Sequence, residues 1–134
     1  MITDTINVLS GKAAYFATAN EANVAAEHQG ESEFFTVEVV SSQIQLVGLT
    51  SICKTTYRIR YYVKQALDDT EADIFAKMNT GLRLMSQTVN GLYRAGQIVS
   101  RSVVVNIDKK QLDSVFIVVQ TDVLSEEEVT ADVC

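Results

Sequence analysis

The residues whose types could do chemistry are few. His28 stands four residues before Ser32 and five before Glu33, and no other histidine is present. Histidine, hydroxyl and carboxylate are the parts of a nucleophilic triad, but a triad is assembled by tertiary geometry, and three residues this close describe a polar loop. A zinc site needs further imidazole or thiolate ligands at defined spacing, and His28 has none nearby. The neighbours Asp68 and Asp69 could act as paired carboxylates, yet they precede a helical pattern and read better as its cap. Glu126, Glu127 and Glu128 could hold a cation, but nothing around them resembles a ligand loop. Neither GxGxxG nor a GKS or GKT phosphate loop occurs. The expectation is therefore no catalytic, cofactor-binding or metal-ligating residue, no cofactor, and a protein that is not an enzyme.

One set of charged side chains is organised. Residues 53–64, CKTTYRIRYYVK, alternate as a strand does. Cys53, Thr55, Tyr57, Ile59, Tyr61 and Val63 fall on one face. The other face carries Lys54, Arg58, Arg60 and Lys64. Two readings of that basic face stand side by side: a solvated outer surface, and a protein–protein interface that docks an acidic partner. A two-faced strand of this length belongs in an antiparallel sheet with one side buried.

The rest of the chain must position that strand. Its 134 residues make one domain, and a 47% hydrophobic content supplies a core. The net charge of −6 argues against general affinity for nucleic acid, though an acidic wall does not prevent DNA from passing by. No apolar run reaches membrane-spanning length, and the opening MITDTINVLSGK lacks the basic region of a secretory signal. Two cysteines are too few for a disulfide framework. Cys53 reads as a small buried hydrophobe, Cys134 as a mobile terminus, and a reducing cytosol as the compartment.

In order, residues 2–19 predict a helix through Ile2, Ile6, Leu9, Ala13 and Phe16, weakened at Gly11. Residues 20–26 predict a short strand and residues 27–33 a loop. Residues 34–49 predict a long strand with a bulge near Ser41 and Ser42, where the apolar face switches. A turn at residues 48–51 returns the chain into the 53–64 strand. Asp68 as N-cap with Glu71 opens a helix over residues 69–89, whose stripe is Ile74, Met78, Leu82, Met85 and Val89. Asn90-Gly91 predicts its end. Two apolar strands follow, within residues 92–108 and at 112–124, joined by a polar turn as a hairpin. Both of their faces are apolar, and one helix layer covers only one, so the second face predicts contact with another subunit. Residues 125–134 read as an acidic, solvated tail outside the 1–124 domain. The fold class expected is α+β: a mainly antiparallel sheet of about four strands, a helix packed on one face, and an N-terminal helix.

This order, together with MITDTINVLSGKAA at the start, EHQG before Phe34 and Phe35, and YRIRYYVK at residues 57–64, resembles the tail terminator proteins of tailed bacteriophages, especially the short forms from phages of Gram-positive bacteria. The likeness covers most of residues 1–124. The sequence departs from the family at Ser41-Ser42, in the absence of a proline before the long helix, and in the acidic end. The resemblance implies a virion structural subunit, assembled in the host bacterial cytoplasm, that forms a homo-oligomeric ring, usually of six copies. Such a ring caps the tail tube, stops its polymerisation and offers a head-joining surface. The partners implied are the tail tube protein and the head–tail connector, with DNA passing through the ring and no membrane. The alternatives are another head-completion or tail-tube ring protein, or a cytosolic α+β module that binds a small ligand.

Overall fold

The computed structural model describes residues 2–17, 31–99, 106–107 and 116–129. It is an α+β fold. A five-stranded mixed sheet, mostly antiparallel, has the order β1 (Ala14–Phe16), β2 (Glu33–Val47), β3 (Thr50–Lys64), β5 (Phe116–Val129), β4 (Asn106–Ile107). Among the described residues, two helices lie on one side of it.

Helix α1 is Ile2–Ser10, with Ile2 and Ile6 buried one turn apart. It is shorter than expected. Gly11 takes a left-handed φ of +69° and donates its N–H to Asn7 at 2.9 Å, which ends the helix. The chain then enters strand β1, Ala14–Phe16, parallel to β2. Three residues carry no readable period, so this strand was hidden within the helical pattern. The strand expected at residues 20–26 lies outside the described residues.

Strands β2 (Glu33–Val47) and β3 (Thr50–Lys64) form the long antiparallel pair. Gly48 has a φ of +63° at the first position of the two-residue connection, where a hairpin turn of the II′ kind needs glycine. The register shifts between Val39 and Ser41. Val40 is the extra residue, so the bulge falls beside the two serines where the alternation breaks.

Helix α2 is Glu71–Arg94. Its N-cap is Thr70, not Asp68: the Thr70 hydroxyl accepts from the Asp73 N–H at 3.2 Å, and the Asp73 carboxylate accepts from the Thr70 N–H at 3.0 Å. Asp69 is occupied elsewhere, pairing with Lys77 and accepting from the Ala66 N–H. The helix also runs past Asn90-Gly91. Leu92 is fully buried one residue later, and a Cβ on Gly91 would sit 2.7 Å from a Leu9 methyl of α1. Gly91 is thus a place of close approach between helices. The stop is Gly96, with a φ of +74° and hydrogen bonds from Gly96 to Tyr93 O and from Gln97 to Leu92 O.

Strand β4 contributes Asn106–Ile107 to an antiparallel pairing with β5, Phe116–Val129. The described part of the closing pair is therefore antiparallel, as expected, while Leu92 belongs to α2. The turn over residues 108–111 lies outside the described residues. The expected boundary at residue 124 does not hold. β5 continues unbroken through the acidic segment to Val129, which pairs with Ser51 of β3. An acidic run reads as a tail only until a basic strand is laid beside it.

Two cores sandwich the sheet. On the helix side, Phe35, Val37, Ile59, Tyr61, Val119 and Val123 meet Met85, Val89 and Leu92 of α2 and Ile2 and Ile6 of α1. On the other side, Phe34, Tyr62, Phe116 and Val118 pack with Ala17. The expectation that this second face waits for another subunit does not hold for β5, whose Phe116 and Val118 are buried on that side within one chain. Cys53 is buried on the helix side and is disulfide-bonded. Burial was foreseen, but the sulfur is more than a small hydrophobe.

Candidate interaction surface

The strand β3 places Lys54, Arg58 and Arg60 on the sheet face opposite the helices, in line with Tyr62. They are not a bare positive patch. β3 lies between β2 and β5, and both neighbours present acids at the matching height. Arg58 makes two bonds to the Asp122 carboxylate, at 2.9 and 3.2 Å. Arg60 donates to Glu38 at 2.9 Å and to Gln120 at 3.2 Å. Lys54 stands 3.6 Å from Glu126. Arg60 is only 7% exposed. Lys64 is exposed at the end of β3 and its carbonyl accepts from Lys77. Three of the four cations that could have formed an interface are thus matched to acids of the same sheet, so their charge is compensated within the subunit. The signal was in the sequence: Glu38, Asp122 and Glu126 stand in strands, and only the register could align them.

A second polar cluster ties the N-terminal unit to the sheet. The Glu33 carboxylate, at the start of β2, pairs with Lys12 and accepts from the Tyr61 hydroxyl. On the other face of the sheet Tyr15, packed against Phe34, donates to Glu31 at 2.6 Å. Burial alone would push the Glu33 carboxyl up, but the hydrogen bonds from Lys12 and Tyr61, with the Lys12 charge, hold it below the usual carboxylate range. Burial, then the Glu33 bond and charge, push the Tyr61 phenol up. A carboxyl depressed in the fold contributes stability that is present above its unfolded value, about 4.3, and is lost as pH falls through the folded value. We therefore expect unfolding titrations to show stability declining below about pH 5, and Glu33→Gln to flatten part of that decline. An acid limb identical in the variant would remove this cluster from the acid response.

The helices leave one end of the sheet uncovered. Residues 39–49 are all exposed, whereas residues 34–37 of the same strand are all buried. Leu46 is 77% and Ile44 48% exposed, and Val39, Val40 and Val47 are exposed beside them. No charged side chain occurs over residues 39–53. An uncharged, apolar strand left in water is an association surface or an aggregation hazard. The sequence pointed to the closing strands for exposed apolar side chains; the structure has them on β2.

On the helix side of the same end, a concavity of about 240 Å³ is lined by Val39, Ser42, Cys53, Thr55, Tyr57 and Glu127, among others. That is below the roughly 300–1,000 Å³ of ordinary ligand sites. The Ser42 hydroxyl lies 3.2 Å from that of Thr55, so these polar groups satisfy one another. Among the described residues no cluster of three His, Cys, Asp or Glu side chains could hold a metal ion, and no helix is long and apolar enough to cross a membrane. His28 lies outside the described residues. Asp68 and Asp69 sit in the turn before α2, and Glu126 and Glu127 stand in β5. No protein-family model matches the chain, and no curated protein matches it.

Proposed function

We propose that this chain is a structural subunit that works by self-association, a tail terminator of a phage or phage-derived particle. Copies close into a ring, six being the number the resemblance implies. The ring caps the tail tube, ends its polymerisation and presents a surface to the head–tail connector. DNA passes through its centre. No catalytic step or cofactor is assigned to it, and its place is the virion tail.

One observation carries this reading: the uncharged, apolar end of β2 at residues 39–49, outside a core that is otherwise closed. A cyclic assembly covers such a surface in every subunit and leaves no open end. The α+β arrangement and the chain order behind the resemblance support it. Analytical ultracentrifugation over a concentration series, with and without purified tail tube, tests it, with negative-stain images of the product. Closed rings, alone or on tube ends, are expected. A protein that stays monomeric throughout and ignores tube ends would overturn the proposal and favour the small-ligand module.

A further inference from the structure

Strand β1 accompanies β2 only as far as Val37: Phe16 pairs with Val37, and the Ala17 N–H donates to Val37 O. Beyond that point no described strand lies on this side of β2, while β3 continues to pair along the other side to Val47. Residues 39–47 are therefore an edge, with alternate N–H and C=O groups turned outward. Edges of this length usually carry lysine, proline or another device against pairing. This one carries valine, serine, glutamine, isoleucine and leucine, and its bulge lies at its inner end rather than along it.

We infer that the edge of β2 over residues 39–47 takes a strand from a second copy of this chain, extending the sheet from one subunit into the next. The inference rests on the proposed function in taking the partner to be another copy. Charge favours that occupant. Two chains of net charge −6 repel over most approaches, and the uncharged stretch 39–53 is where a copy can come close without facing a like charge. A strongly basic partner would find no complementary charge on this edge. Backbone pairing supplies the affinity and fixes the register, while Ile44 and Leu46 lose their exposed surface.

Hydrogen exchange of the full chain at low and high concentration tests this, beside sedimentation of Q43K/Q45K. Both glutamines are exposed, so the variant keeps its fold, which circular dichroism checks. The outward-facing amides among residues 39–47 are expected to exchange about tenfold slower or more at high concentration, and the lysines to weaken association by a similar factor. The lysines bring the net charge toward zero, so a merely nonspecific contact would tighten instead. Association that leaves these amides unprotected, or that the lysines do not weaken, overturns strand addition and leaves the ring standing. Protection at β2 in an open filament or a simple dimer keeps strand addition and overturns the ring. A monomer at every concentration overturns strand addition.

Discussion

Phe34→Ala is expected to cost about 3–5 kcal/mol in urea unfolding, the range for deleting a buried aromatic ring. Phe34 is fully buried on the sheet face away from the helices. Its ring stacks on Tyr62 at 4.7 Å and 11°, and meets Phe116 edge-on at 5.3 Å and 85°. Tyr15 lies 6.0 Å off. Truncation would remove the ring that touches three others, and β2, β3 and β5 are held too firmly by their ladders to collapse into the space. The variant asks whether this face is closed within one subunit. A loss below about 0.5 kcal/mol, the scale of a surface change, would mean that the aromatic cluster forms only on assembly. Phe34→Leu keeps much of the volume and should lose clearly less.

Reversing Arg58 and Arg60 together, R58E with R60E, is expected to destabilise the subunit itself by about 3–5 kcal/mol. A carboxylate at residue 60 would be largely buried beside Glu38, and one at residue 58 would face Asp122 across the ladder. If these arginines formed only a docking face, the double variant would fold normally and fail to assemble. The geometry makes folding the first casualty. Arg60→Met separates the two effects. Methionine keeps most of the stem packing, and Glu38, still partly in water, tolerates the loss of its partner. Thermal or urea unfolding of both variants decides. A double variant as stable as the parent would mean that the ladder of ion pairs contributes nothing and would return the basic face to the interface account.

Much of this protein was legible along the chain because the relevant signals are local or strictly periodic. The two-residue period gave away the β2–β3 pair, both faces of β3 and the bulge beside Ser41-Ser42, since one extra residue inverts every side chain after it. The 3.6-residue period marked Met85 and Val89 as core. The class, α+β with a helix packed on a mainly antiparallel sheet, followed from the order of those elements. The closing strand was read as uncovered although it is buried, because apolar residues on both faces of β5 look the same whether they are covered by the chain itself or by a neighbour.

Tertiary structure decided everything that depends on which distant residue lies opposite. Gly91 looked like a helix stop, since glycine is the usual one; only the Leu9 side chain packed against it shows why the helix continues to Arg94. Thr70 displaced Asp68 as the cap because Asp73 completes its box while Asp69 is drawn to Lys77. Lys54, Arg58 and Arg60 read as unmatched cations, and Ser125 to Glu128 as a loose acidic end, for one and the same reason. Lys54 and Arg58 lie more than sixty positions from their acids on β5, and Arg60 lies across the β2–β3 turn from Glu38; charge pairing between strands is invisible until the register places Glu126 beside Lys54 and Asp122 beside Arg58. The sequence by itself determined which faces are apolar; the sheet register determined which charges are spent within the subunit and left β2, residues 39–47, as an edge with no described strand beside it.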